Sequence, residues 1–239
     1  MAHETRFHVG TSGFSYDEWK PTFYPKGLKK AEMLSFYGQQ FPSVELNNTF
    51  YRMPTEKNVA AWSDQVPDSF RFAIKATRGL TWSKKLIDCE EFLESFLSQL
   101  KPLQSKLGCV FFQVPKFVVC DVDVLRTFLA LQPPGLKTAF EFVSETWHIP
   151  AVFEILYAYG ATAVISDLDE IRDTKLYDAA LYDAAPWQYL RLRRVSYGDD
   201  ELIKWRDRIV ASGATDAFVF FKHEDTGSGP AMARRFLAL

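Results

Sequence analysis

Short runs rich in Val, Ile, Leu and Phe alternate along the chain with stretches whose apolar residues recur at helical spacing. Runs of this composition that are bounded by turn residues are typical of β-strands. Eight strands are predicted, near residues 7–10, 43–47, 70–75, 108–114, 137–142, 162–167, 188–193 and 217–223. Strands that alternate regularly with helices indicate an α/β fold with a parallel sheet.

The helices between these strands are predicted from apolar spacing and from residues suited to helix ends. The candidates are 29–41, 56–65, 90–100, 122–131, 150–159, 199–213 and a last helix introduced by Gly229 and Pro230. Thr55, Asp88 and Asp121 suit N-caps, while Gly160 and Gly213 suit the position just after a helix. For 167–187 we expect an irregular stretch, a long loop with a short helix.

Eight strand–helix pairs in 239 residues predict a single-domain TIM (β/α)8 barrel over residues 1–239. An open doubly wound sheet is the alternative, but the length and the number of repeats favour the barrel. No G-x-G-x-x-G segment follows the first strand, which argues against a dinucleotide-binding fold.

Strand periodicity predicts which side chains enter the barrel. Successive residues of a strand alternate between the helices and the barrel interior. Val44 and Leu46 are the apolar, helix-facing pair of the second strand, so Glu45 and Asn47 point inward. The same reasoning points side chains of three other strands inward, namely Lys75, Glu141, Tyr189, Arg191 and Arg193. Most lie near the C-terminal strand ends, where TIM-barrel enzymes carry their active sites.

Two interpretations fit this interior charge. Ion pairs of Glu45 with Lys75 and of Glu141 with Arg191 would be purely structural, although buried ion pairs are weak evidence for stability. The catalytic interpretation makes Glu45, Glu141 and Lys75 the reacting groups. The lysine would keep one carboxylate ionised and burial would raise the pKa of the other, giving a base and an acid as in glycoside hydrolysis.

Further polar and aromatic residues near the strand ends are candidates for ligand binding, because Arg forks and aromatic rings suit anionic and sugar-like molecules. They are Ser12, Tyr16, Trp19, Asn47, Tyr51, Arg52, Gln113, Trp147, Asp167, Arg191 and His223. The sequence therefore predicts an enzyme acting on such a small molecule. A non-catalytic binder of an anionic small molecule is the alternative.

The amino-acid composition limits the classes of binding partner that we expect. A net charge of −2 argues against a general grip on phosphate backbones, so nucleic acid is not the expected partner. Three cysteines without CxxC spacing, no secretory leader and no long apolar segment predict a cytoplasmic protein without a membrane partner. Lys75 and Arg191 would repel a cation, and no histidine pair has metal-ligand spacing, so we expect neither a metal nor a cofactor. The oligomeric state is left open.

Several segments carry a family resemblance when they are taken together. They are VGTSGFSYDEWKPTFYP, FPSVELNNTFYRMP, FRFAIKATRGLTW, LGCVFFQVPKF, FEF and YLRL. Over nearly its whole length the chain resembles the YecE-like family, which is number seventy-two in the series of domains of unknown function. The resemblance implies a TIM barrel related to sugar-isomerase and endonuclease barrels. A metal-dependent or nucleic-acid-processing barrel is thus a second alternative.

The chain departs from that family's pattern where the family carries His and Asn residues. Val143-Ser144 stands in place of Arg-His, and Arg193-Arg194 in place of His-Gly. Lys222-His223 replaces Asn-Asn, and Thr81-Trp82 replaces Thr-His. These differences predict a divergent member that either binds another ligand or has lost an ancestral activity.

Overall fold

The computed structural model describes residues 4–167, 178–222 and 227–239. Its eight strands are β1 (Arg6–Thr11), β2 (Ser43–Leu46), β3 (Arg71–Lys75), β4 (Leu107–Val114), β5 (Thr138–Phe142), β6 (Thr162–Ser166), β7 (Gln188–Leu192) and β8 (Asp216–Phe221). They are parallel and form one sheet in the order β1-β8-β7-β6-β5-β4-β3-β2. The predicted (β/α)8 barrel is confirmed, with one incompletely paired seam between β1 and β2.

Helices follow the strands in the expected alternation. They are α1 (Met33–Gly38), α2 (Glu56–Ser63), α3 (Glu90–Leu100), α4 (Val122–Ala130), α5 (Pro150–Ala158), α6 (Ala179–Asp183), α7 (Asp199–Ala211) and α8 (Ser228–Leu237). The short α6 is the only described helix within the stretch predicted to be irregular, and residues 168–177 lie outside the described ranges. None of the helices in the described ranges is both long and apolar enough to cross a membrane.

Most of the predicted helix ends are correct. Thr55 and Asp121 accept backbone N–H groups of α2 and α4 at 3.1–3.3 Å. Gly160 and Gly213 have φ values of 70° and 73°, a left-handed conformation that glycine adopts at little cost. The expectation for Asp88 is wrong, because Cys89 occupies the N-cap of α3.

Side-chain alternation divides the core into two layers. Val44, Leu46, Phe72 and their equivalents on other strands join the helix-facing core. A separate, smaller cluster fills the barrel interior, with Ala73, Phe111, Tyr189, Phe218 and Phe220 among its members. The predicted orientation of the strand faces is therefore confirmed. Polar strand residues that alternate with the helix-facing residues point into the barrel interior.

A tyrosine hydroxyl spans the seam between β1 and β2. The Tyr37 hydroxyl, from α1, accepts the Thr11 N–H at 2.8 Å and donates to the Ser43 carbonyl oxygen at 3.0 Å. The strands approach closely, since a Cβ atom at Gly10 would lie 1.9 Å from that carbonyl oxygen. Above it, the Gly13 N–H donates to the carbonyl oxygen of Glu45 at 2.8 Å. The end of β1 therefore fixes the backbone that carries Glu45.

Candidate functional site

Arg191 lies between two buried carboxylates at the C-terminal end of the barrel interior. Its Nε and Nη2 atoms lie 3.0 and 3.1 Å from the two carboxylate oxygens of Glu45. Its Nη1 atom lies 3.0 Å from each carboxylate oxygen of Glu141. All three residues are at most 4% exposed. A guanidinium suits this role because its donors point in several fixed directions within one plane.

Glu45 is surrounded by further donors. Ser12 Oγ donates to it at 2.5 Å, Asn47 Nδ2 at 2.9 Å and the Tyr189 hydroxyl at 2.6 Å. Burial by itself would raise the pKa of Glu45. Arg191 and these hydrogen bonds outweigh burial and lower the pKa to about 2. Glu45 is consequently an ionised acceptor at neutral pH.

Glu141 is ionised as well. Arg193 Nη2 and Gln113 Nε2 each donate to it at 2.5 Å, in addition to Arg191. Burial would raise its pKa, but Arg191, Arg193 and Lys75 reverse the effect and the pKa is lowered. The expectation that one carboxylate is ionised and the other protonated is therefore wrong, because both carboxylates share the same guanidinium.

Lys75, at the end of β3, forms no ion pair with any carboxylate in the described ranges. Its ammonium donates to Gln113 Oε1 at 2.8 Å and lies 4.3 Å from the centre of the Phe50 ring. Burial and then Arg191 lower the pKa of Lys75 to about 8, although Glu45 and Glu141 oppose the change. At pH 7 about one amine in ten is then neutral. A neutral amine can act as a base or as a nucleophile.

The remaining predicted residues fall into distinct places. Ser12, Asn47 and Gln113 contact the carboxylates directly, and the Tyr16 hydroxyl donates to the Ser12 carbonyl oxygen at 3.0 Å. Tyr51 and Arg52 are exposed on the loop that follows β2. They lie on the rim rather than within the cluster.

The structure corrects the expected positions of two tryptophans and places Asp167 beside the cluster. Trp19 and Trp147 are buried in the helix-facing core, where the Trp147 ring stacks on Phe142, so neither lines the mouth. Asp167 accepts the Arg193 N–H at 2.7 Å and a hydroxyl hydrogen bond from Tyr197, and so organises a loop beside the cluster. His223 lies outside the described residues.

The sequence profile of the family described as "Protein of unknown function DUF72" matches residues 8–239. The chain belongs to the DUF72 family. DUF72 proteins from Thermotoga maritima and Enterococcus faecalis have crystal structures similar to this one, with TM-scores of 0.80 and 0.78 at 25% and 21% identity. Both comparisons cover 98% of this chain, and they cover 98% and 96% of those chains.

Two curated proteins are similar over part of this DUF72 chain. The UPF0759 protein YunF of Bacillus subtilis is 28% identical over 156 residues, which are 62% of this chain and 54% of YunF. The UPF0759 protein YecE of Escherichia coli K12 is 26% identical over 183 residues, or 74% of this chain and 65% of YecE. The chain thus spans less than two thirds of the length of either relative.

Some residues of this DUF72 site were not among the predicted site residues. Tyr189 and Arg193 contact the two carboxylates, and the alternation of β7 already indicated that both point inward. Phe50 lies against the Lys75 ammonium, and Tyr37 holds the seam beneath Glu45. No strand pattern could have identified Phe50 or Tyr37, because both lie outside the strands.

Proposed function

We propose that this protein is a metal-independent enzyme of the hydrolase, lyase or isomerase type. It acts on an anionic or sugar-like small molecule at the C-terminal mouth of the barrel, with Lys75 as the group that gains and loses a proton. The supporting observation is that the buried Lys75 amine has no carboxylate partner among the described residues, although two carboxylates occupy the same barrel. A pKa of about 8 suits general-base catalysis near neutral pH.

The neighbouring residues position and polarise this amine. Gln113 donates to Glu141 and accepts from Lys75, so one amide fixes the relative position of the two. Arg191 pairs with Glu45 and Glu141, which leaves the Lys75 amine without a carboxylate partner in the described ranges, and the positive charge of Arg191 helps to lower the pKa of Lys75. Neutral Lys75 would remove a proton next to a carbonyl group of the substrate or add to the carbonyl carbon.

A non-catalytic binder is the second candidate. It is favoured by the ionisation of both carboxylates, since neither is left to serve as a general acid. In a binder, Lys75 and Arg193 would hold an anion without transforming it.

Turnover in a screen of anionic and sugar-like metabolites separates the two candidates. The enzyme proposal expects turnover by the parent chain and none by Lys75→Met. The control variant Lys57→Met, at an exposed lysine of α2, should keep full activity. Borohydride trapping of a substrate adduct on Lys75 would identify the nucleophile, and turnover without trapping would identify the base. Ligands that stabilise the parent without turnover, or turnover that persists in Lys75→Met, would contradict the proposal.

A further inference from the structure

Three large aromatic side chains are exposed side by side at the mouth of the barrel. Tyr51 follows β2, Trp82 lies in the turn after β3 and Phe117 lies in the loop after β4, with exposed fractions of 73%, 41% and 55%. The less exposed Phe50 contacts both Tyr51 and Trp82, with ring centres 5.1 and 5.9 Å apart. Trp82 in turn contacts Phe117, at 5.5 Å. We call these four rings the aromatic rim.

The aromatic rim is continuous with the proposed reacting group. Phe50 lies against the Lys75 ammonium, and the hydroxyl of the adjacent Thr49 donates to the Lys75 carbonyl oxygen at 2.6 Å. Phe50 is buried and contacts both Tyr51 and Trp82, so it connects the Lys75 amine to the exposed rings. Clustered exposed rings usually mark a binding surface, because solvent-exposed apolar area is unfavourable without a partner.

The loops that carry the aromatic rim are strongly basic. Residues 47–55, 76–89 and 115–121 contain five exposed cations, namely Arg52, Arg78, Lys84, Lys85 and Lys116. The same segments contain two acids, Asp88 and Asp121, both next to the helices that follow. None of the five cations pairs with a carboxylate in the described ranges. Positive charge on the loops that carry the rings attracts an anion, and these loops offer few carboxylate acceptors for the hydroxyl groups of a neutral sugar.

We propose that the aromatic rim is a stacking subsite and that the substrate is an anion carrying a flat aromatic ring, as a nucleoside phosphate does. The inference rests on the proposed function, since it assigns the part of that substrate which does not react. The ring of the ligand stacks on Tyr51 or Trp82, the basic loops hold its anionic group, and the reacting atom lies at Lys75.

Binding of three matched probes to the parent chain tests the subsite. The probes are a nucleoside monophosphate, ribose 5-phosphate as the same anion without the ring, and the nucleoside as the ring without the anion. Stacking on one aromatic side chain is worth about tenfold to hundredfold in affinity. The monophosphate is expected to bind at least tenfold more tightly than either other probe. Equal binding of the monophosphate and ribose 5-phosphate would overturn the proposal.

Variants of the aromatic rim test whether its rings cause the preference for the ring-bearing probe. At least one of the variants Trp82→Ala and Tyr51→Ala is expected to reduce the preference for the ring-bearing probe by about tenfold or more, without changing the affinity for ribose 5-phosphate. Tyr159→Ala is the matched control, because Tyr159 is 42% exposed at the far end of α5. An unchanged preference in both rim variants would remove the subsite. A short single-stranded oligonucleotide that binds more tightly than the mononucleotide would identify the ring-bearing anion as part of a strand.

The subsite and the proposed enzyme can fail separately. If the rim variants keep the full ring preference while Lys75→Met abolishes turnover, the enzyme stands and the subsite is wrong. If the rim variants lose the preference while Lys75→Met turns over substrate normally, the subsite stands and the role of Lys75 is wrong.

Discussion

Replacing Lys75 by Met is expected to stabilise the folded protein at pH 7. Burial and Arg191 lower the pKa of this amine from 10.5 to about 8. At about 1.4 kcal/mol for each pKa unit, holding the amine protonated in the fold costs about 3 kcal/mol. The methionine removes this cost and loses one hydrogen bond to Gln113, worth about 1 kcal/mol. The net expectation is a gain of about 1–2 kcal/mol.

The pH dependence of the free energy of unfolding also tests whether the Lys75 ammonium destabilises the fold. Between pH 8 and pH 10.5 the unfolded lysine keeps a proton that the folded lysine has lost. Folding is therefore favoured as pH rises through this window, and the contribution of Lys75 to the stability of the parent should increase. Lys75→Met should lack this increase, so its advantage over the parent should shrink towards pH 10.5.

Urea unfolding at pH 7 and at intervals up to pH 10 measures both effects. Lys57→Met is the matched control, since an exposed lysine should change the free energy of unfolding by less than about 0.5 kcal/mol. A loss of 2 kcal/mol or more in the free energy of unfolding of Lys75→Met at pH 7 would contradict this prediction. It would mean that the fold stabilises the Lys75 ammonium instead of destabilising it by burial.

Three further predictions follow from the geometry. Arg191→Met should cost about 3–5 kcal/mol in urea unfolding, because two buried carboxylates lose their shared partner. Arg126→Met at an exposed site is its control, and a cost below 1 kcal/mol for Arg191→Met would contradict the account. Tyr37→Phe should lower the free energy of unfolding by about 1–3 kcal/mol, because the hydroxyl that bridges β1 and β2 is lost. The same value for exposed Tyr159→Phe would mean that this hydroxyl does not stabilise the seam. Acid titration should remove the contribution of Glu45 between pH 4.5 and about 2, since its folded pKa is the lower one, and Glu45→Gln should lack that step.

The strand faces could be predicted because each strand has an apolar outer side. A shift of one residue in β2 would turn Val44 and Leu46 into the barrel and Glu45 into the helix layer. The apolar pattern therefore determined the orientation of Glu45, and the same reasoning held for Lys75 and Arg191. The composition and spacing of the strand residues were sufficient to predict which side chains point into the barrel, without knowledge of any interatomic distance.

The pairing inside the barrel could not be predicted in the same way. Strand periodicity says that Glu45, Glu141 and Arg191 point inward, but it does not say which atoms meet across the barrel. The predicted pair of Glu141 with Arg191 is present, but the same guanidinium also contacts Glu45, so Lys75 does not pair with Glu45 as predicted. Trp19 and Trp147 were misplaced for a related reason, since residues beyond a strand end follow no period that fixes their direction.

A pH titration by NMR measures the pKa of the Lys75 amine directly, with the resonance of the side chain assigned by its absence in Lys75→Met. We expect a midpoint near pH 8, because the amine is buried beside Arg191 and neither Glu45 nor Glu141 pairs with it. A midpoint above pH 10 would contradict this expectation. Lys75 would then be an ordinary protonated lysine and would not serve as the proposed base or nucleophile.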